Sequence, residues 1–128
     1  MDAHSRMIKE IAIKDANLNI EFADTPLKRS LGLMYRQQLD SGSGMMFVFP
    51  EKKEHSFWMK DTHIPLSIAY INEDGVIINI EDMEPFSLDG VKSSGPCRYA
   101  LEVNQGWFEE NGIQTGDQIE GISEETNG

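Results

Sequence analysis

The chain has 128 residues, of which 22 are acidic and 11 are basic, so its formal net charge is −11. This length predicts one domain with its own hydrophobic core. The acidic excess disfavours binding to nucleic acid or to an anionic membrane, because both depend on Lys and Arg. No apolar run approaches the roughly 20 residues of a membrane-spanning helix, so we expect no integral membrane segment.

The first half of the chain predicts a β-hairpin and a buried strand. Apolar and polar residues alternate from Leu18 to Phe22, which is typical of a half-buried strand, and the turn-prone stretch 14–17 separates this run from apolar residues at 8–13. The apolar run at 45–49 lies between a glycine and a proline, as in a strand buried on both faces.

The segment 24–36 between these strands predicts a short amphipathic helix. Thr25 is a suitable N-cap and Pro26 suits the first helical position. The apolar side chains that fall on one face of this helix are Leu27, Leu31, Met34 and Tyr35.

The second half predicts further strands and one more helix. Strands are expected around residues 56–60, 65–71, 76–83, 98–103 and 117–122, with a turn at 72–75. Asn104 is expected to cap a short helix over 105–111, which Gly112 ends. About eight short strands and two short helices predict an α+β fold, mostly antiparallel β, built as a sandwich or a partly closed barrel. We expect residues 1–122 to form a single domain and the acidic tail 123–128 to be disordered.

Five segments resemble one known family: 23–36, 44–50, 56–75, 98–107 and 112–117, with "FWMK", "IPL" and "LEVNQGW" as their most specific parts. Over roughly residues 18–122 the chain is similar to the domain of unknown function 192 (DUF192). The resemblance implies a small β-rich fold of bacteria and archaea, often made with a secretion signal, and no established activity, cofactor or catalytic residue. The first ten residues here lack the apolar stretch of such a signal, so the sequence assigns no compartment.

Strand alternation indicates a candidate binding site. Phe57 and Met59 would share one face of their strand, while Trp58 and Lys60 face the other way. In the strand at 98–103, alternate residues from Tyr99 form the core face and their neighbours form a polar stripe that points outward. We expect a shallow pocket with these ligand-binding residues: Trp58, Lys60, Arg98, Glu102 and Asn104, with Trp107 at the rim.

Several functions fit this pattern. The favoured interpretation is a non-catalytic binding or accessory domain for a small polar ligand, such as a sugar or a carboxylate, or for a protein partner. A second is a hydrolase in which Glu102 is the general base and Lys60 an electrostatic stabiliser. A third is a structural interaction domain with Leu27 and Leu31 at an interface. The alternative to a ligand site is that Lys60 and Glu102 form an ion pair with a purely structural role.

Other chemistries have little support in the sequence. His4, His55 and His63 are widely spaced and form no metal-binding motif. The single cysteine, Cys97, cannot form an internal disulfide, and no base lies beside it to activate the thiol. The glycines form no nucleotide-binding motif. We therefore predict no cofactor and no metal.

Overall fold

The computed structural model of the chain describes residues 8–122, so the predictions for the N-terminal residues, His4 and the acidic tail lie outside the described part. Eight strands and two short helices confirm the mostly antiparallel α+β fold. In chain order they are β1 (Ile8–Ile13), β2 (Ala16–Ala23), α1 (Pro26–Leu31), β3 (Ser43–Lys53), β4 (Ser56–Phe57), β5 (Leu66–Ile71), β6 (Ile77–Met83), β7 (Val91–Lys92), β8 (Cys97–Asn104) and α2 (Trp107–Glu110).

Six strands form one sheet in the order β1-β2-β3-β8-β5-β6, and β4 pairs with β7 in a separate two-stranded ribbon. Every neighbouring pair is antiparallel except β2 and β3, which are parallel. A parallel pair needs a crossover connection, and this crossover contains α1 and the residues that follow it. The crossover therefore places 24–42 beside the sheet.

Both faces of the sheet are buried. On one face, a first core combines β-strand residues with Phe108, Ile113 and Ile119 from the C-terminal part. On the other face, a second core forms around Phe47, Tyr70 and Met59. A strand in the middle of this sheet thus sends alternate side chains into two different apolar layers.

The two edges of the sheet approach each other through the C-terminal segment. Ala12 of β1 bridges to Glu120, and Val76, next to β6, bridges to Gln118. These single bridges do not make a continuous ladder, so the barrel is not closed. Two architectures were predicted, a sandwich or a partly closed barrel, and the described residues show one six-stranded sheet that is not closed.

Helix α1 is shorter than the predicted 24–36. Thr25 is the N-cap, and its Oγ1 accepts a hydrogen bond from the Lys28 amide at 3.1 Å. The helix ends at Gly32, whose φ of 50° is outside the helical range. Its apolar face is not covered: Leu27 is 77% exposed and no residue of the helix is buried.

Two further local predictions are wrong. The predicted strand at 56–60 is reduced to the two residues of β4, because the chain turns where the Thr62 amide donates to the Met59 carbonyl. Asn104 does not cap α2. The N-cap is Gly106 with a φ of 93°, and the Asn104 side chain instead donates to the Leu39 carbonyl at 2.8 Å. Gly112 has a positive φ of 67° after α2, as predicted.

Within residues 8–122, no helix is both long and apolar enough to cross a lipid bilayer.

Candidate functional site

A cavity of about 520 Å³ opens on the face of the sheet that carries the second core. Its walls come from α1 with the next four residues, from β3, and from β4 with the turn 58–62. The polar side chains in this wall include Arg29, Tyr35, Lys60, Asp61 and Glu102, and the aromatic ones include Phe47, Phe49, Phe57 and Trp58.

Glu102 lies near the middle of the sheet. In the register of β8 it faces Met45 of β3 on one side and Ile68 of β5 on the other. The predicted alternation in β8 is correct, since Leu101 and Val103 belong to the first core. The prediction that the other face of β8 points outward is wrong, because the second core covers that face. Glu102 is therefore a carboxyl group within an apolar layer.

The Glu102 carboxyl is buried without a partner. Four polar or charged residues are buried among residues 8–122, and Glu102, at 4% exposure, is the one with an ionisable side chain. The other three, Thr62, Ser67 and Ser93, each form a side-chain hydrogen bond, whereas Glu102 forms none within the described chain. Burial disfavours the charged form and raises the pKa of Glu102 to about 8. At neutral pH the group is mostly a neutral acid.

Trp58 and Lys60 line the cavity and are both exposed to solvent, so they lie at its mouth. Trp58 is 49% exposed, and the Lys60 Nζ atom lies 5.5 Å from the centroid of its ring. The structural ion pair between Lys60 and Glu102, which the sequence allowed, is not formed. Within the described chain, Lys60 forms no ion pair with any carboxylate. The two residues line one cavity without neutralising each other.

Tyr35 and Asp61 connect the α1 side of the cavity to the 58–62 side. The Tyr35 hydroxyl donates to the Asp61 carboxylate at 3.2 Å, and the Tyr35 amide donates to the Asp61 carbonyl at 2.8 Å. The hydrogen bond to the carboxylate raises the pKa of Tyr35. Both residues have a positive φ, 67° and 55°, which non-glycine residues adopt only when the surroundings hold them there.

The remaining predicted site residues lie elsewhere. Arg98 donates from Nε to the Phe49 carbonyl at 3.0 Å, Asn104 contacts Leu39, and Trp107 packs against the first core. None of these three lines the cavity around Glu102. Their role in binding stays a prediction, whereas Trp58, Lys60 and Glu102 do share one cavity.

Sequence reasoning missed Arg29, Tyr35 and Asp61. Arg29 lies in α1 and donates from Nη1 to the Val48 carbonyl at 3.0 Å, so it bridges the helix to β3. No motif marks these residues, since their approach to Glu102 depends on how the crossover packs on the sheet. The usable signal was Glu102 itself, an acidic residue in the apolar run of β8.

Other reactive groups do not gather into a site. Residues 8–122 contain no cluster of three His, Cys, Asp or Glu side chains able to hold a metal ion. Cys97 is a buried thiol, and burial raises its pKa, which opposes formation of the reactive thiolate. Burial also lowers the pKa of His55, which stacks on Phe49 at 3.6 Å between ring centroids.

Comparison with known proteins identifies the family. The model of the family described as uncharacterised ACR, domain of unknown function 192, matches residues 8–121. The chain belongs to this family, which confirms the resemblance found in the sequence. No biochemical function is established for the family.

Three relatives illustrate the match. A UPF0127 protein of Pyrococcus furiosus is 24% identical over 112 residues, which cover 84% of this chain and 90% of that protein. A solved protein of unknown function from Novosphingobium aromaticivorans has a TM-score of 0.87 and 28% identity, over 94% of this chain and 89% of that one. A Sinorhizobium meliloti structure, named as a candidate transcription regulator, has a TM-score of 0.81 and 36% identity, over 90% of this chain and 92% of that one.

Proposed function

We propose that this protein is a non-catalytic binding domain that takes a small ligand into the cavity beside Glu102. The buried, unpartnered carboxyl of Glu102 is the observation that carries the proposal. A buried polar group without a hydrogen bond costs about 1–3 kcal/mol. A ligand that bonds to Glu102 would recover this free energy, so the site favours an occupant with a polar group.

The shape and lining of the cavity support the same role. A volume of about 520 Å³ is within the range of small-molecule sites, which are mostly apolar with a few placed polar groups. Phe47, Phe57 and Trp58 offer ring surfaces for the body of the ligand. Trp58, which is half exposed, would cover the ligand from the solvent side.

A thermal-shift screen of the purified protein against sugars, organic acids, amines and nucleotides tests the proposal. A ligand at about 100 times its dissociation constant adds about 2.7 kcal/mol, or about 10 °C for a domain of this size. We expect the shift to disappear in Trp58→Ala. It should persist in Phe86→Ala, a matched control that removes another exposed aromatic ring outside the cavity. A ligand that still binds Trp58→Ala with full affinity, or a broad library without any binder, would contradict the proposal.

A hydrolase with Glu102 as general base and Lys60 as stabiliser is a second proposal. The raised pKa of the buried Glu102 in a concave cavity is the observation in its favour. Because a base must be ionised, we expect any such activity to increase as the pH rises through about 8. Assays with ester and glycoside substrates across this pH range test for hydrolase activity. Glu102→Gln is the control that is expected to be inactive.

A protein partner is a third proposal, supported by exposed apolar side chains beside the cavity. Leu27 is 77%, Leu31 47% and Tyr35 64% exposed. The relative named as a candidate transcription regulator raises the question of DNA, but the net charge of −11 opposes binding to a phosphate backbone. A pull-down in which Leu27→Gln and Leu31→Gln together abolish capture of a defined partner would favour the interaction surface over the cavity.

A further inference from the structure

Two basic side chains in the cavity wall have no acidic partner, although the chain has 22 acidic and 11 basic residues. Arg29 and Lys60 form no ion pair within residues 8–122. Five other basic side chains lie 2.8–3.9 Å from a carboxylate oxygen: Lys14, Lys28, Arg36, Lys52 and Lys53. Lys92 and Arg98, which do not line the cavity, also form no ion pair within the described residues, so the cavity differs in holding two such cations together. Uncompensated cations beside an aromatic cavity are suited to an anionic ligand.

The hydrogen-bonding capacity of the cavity points in the same direction. Arg29 uses Nη1 on the Val48 carbonyl, and a guanidinium carries further N–H donors. As a neutral acid, Glu102 presents one O–H donor and one carbonyl acceptor. The other acid in the wall, Asp61, already accepts a hydrogen bond from Tyr35. The uncommitted polar groups are therefore mainly donors.

We propose that the ligand of this cavity is a small organic acid, with its carboxylate held by Arg29, Lys60 and the protonated Glu102, and with an apolar or aromatic body against Phe47, Phe57 and Trp58. This inference rests on the proposed binding function and specifies its ligand class. An organic amine would meet two cations in the wall, and a sugar would leave both cations without a counter-charge. A carboxylate can accept hydrogen bonds from a guanidinium, an ammonium and a carboxylic acid alike, so it suits all three types of group.

Binding of an acid by this site is linked to pH. The charged and titratable groups that line the cavity or face Glu102 are Arg29, Tyr35, Lys60, Asp61 and Tyr70. Tyr70 donates its hydroxyl to the Val91 carbonyl at 2.6 Å, and burial raises its pKa, so it stays neutral. Tyr35 also has a raised pKa. Glu102 is thus the group whose ionisation opposes an anionic ligand, and binding weakens as the pH rises through about 8.

Three probes with the same ring and different polar groups test the ligand class: phenylacetate, phenethylamine and 2-phenylethanol. Fragments of this size commonly bind with dissociation constants of about 1 mM, so protein-detected NMR titration is the measurement. We expect phenylacetate to bind most tightly of the three, with shifts at Glu102 and Trp58. If phenethylamine or 2-phenylethanol binds in the cavity and phenylacetate does not, the inference that the ligand is an organic acid is overturned. The proposed binding function would still stand.

Variants distinguish binding of phenylacetate through its carboxylate from a non-specific apolar contact of its ring. Lys60→Gln should weaken phenylacetate binding about three- to fivefold, as expected for an exposed charge. Lys92→Gln, the matched control on β7, should leave it unchanged. Glu102→Gln keeps a neutral hydrogen-bond donor that cannot ionise, so this variant serves only for the comparison of pH profiles.

The pH profile is the decisive part. In the parent protein we expect the dissociation constant for phenylacetate to rise about tenfold from about pH 7 to about pH 9, and in Glu102→Gln we expect no such rise. Absence of phenylacetate binding, or a parent profile identical to that of Glu102→Gln, would overturn the inference. The wider ligand screen judges the proposed function separately, because it includes ligands of every class.

Discussion

At the scale of single residues, Glu102 is the feature that most needs a physical explanation. An ionised carboxylate in an apolar layer without a partner would be very costly, so the group takes up a proton instead. Burying the neutral acid costs less free energy, but it still costs some because the acid forms no hydrogen bonds. A group that lowers stability in this way is typical of a functional site.

The first prediction concerns stability against pH. The folded state holds a proton on Glu102 up to about pH 8, whereas the unfolded chain loses it near the ordinary value of about 4.3. The folded state binds more protons between these values, so the free energy of unfolding decreases as the pH rises through this window and is then unaffected by Glu102. Glu102→Gln should remove this decrease and stabilise the protein by several kcal/mol at about pH 8 relative to the parent.

Urea unfolding at a series of pH values measures this difference. Glu109→Gln is the control, because Glu109 is exposed on α2. In this variant the free energy of unfolding should change with pH as it does in the parent protein. Parallel pH profiles for the parent and Glu102→Gln would mean that the carboxyl is not held neutral.

The sequence predicted the face of Glu102 but not its surroundings. Alternation along β8 separates Glu102 from Leu101 and Val103, and this depends only on strand geometry. That the second face is also covered depends on the crossover containing α1 and on the turn at 58–62. Such long-range packing leaves no periodic signal, so Arg29 and Asp61 could not be assigned.

At the scale of elements, the close approach of β3 and β8 positions Glu102. Gly44 opposes Val103 in the register of these strands. A Cβ atom at Gly44 would lie 2.8 Å from the Glu102 carbonyl oxygen and 3.0 Å from Val103 Cγ1. The absence of a side chain therefore allows the central pair of strands to pack at this distance.

We predict that Gly44→Ala lowers the free energy of unfolding by about 2–3 kcal/mol, because backbone atoms of a central strand must move. Gly95→Ala is the matched control, since nothing lies within 4 Å of a Cβ there, and we expect a change within about 0.5 kcal/mol. Chemical denaturation measures the stability of both variants. Equal stabilities would contradict the prediction that strands β3 and β8 need a glycine at position 44.

Among the elements, the long central strands were predicted best, whereas β7 was not predicted and the predicted strand at 117–122 forms only isolated bridges. The buried run of β5 and the turn at 72–75 follow from composition and local turn chemistry, and the Asn72 side chain accepts from the amides of Asp74 and Val76. The predicted extent of α1 was wrong because Gly32 ends the helix and Leu33, rather than Leu27, enters the second core. Helical periodicity alone does not reveal where a short crossover turns toward the sheet.

At the scale of the whole molecule, the C-terminal segment holds the two edges of the sheet together. Ile119 is 2% exposed in the first core, and its amide donates to the Gly75 carbonyl at 2.8 Å. The neighbouring residues form single bridges, Gln118 to Val76 next to β6 and Glu120 to Ala12 of β1. Contacts that are so distant in sequence cannot be derived from local patterns, and the sequence accordingly left strand order open.

We predict that Ile119→Ala costs about 2–4 kcal/mol of stability, as for other buried aliphatic truncations. Ile8→Ala removes the same atoms from a side chain that is 63% exposed, and its effect should remain within about 0.5 kcal/mol. Denaturation midpoints measure both, and a similar loss in the two variants would show that the C-terminal segment does not close the core.

The most direct test of the central claim is the pKa of the Glu102 carboxyl, followed by carbon-13 NMR titration of the side-chain carboxyl in the folded protein. We predict a value of about 8, because the group is buried beside an open cavity without a partner. A value near the ordinary 4.3 of glutamate would mean that the carboxylate is hydrated or paired, and would contradict the account of the cavity as a binding site built around a neutral acid.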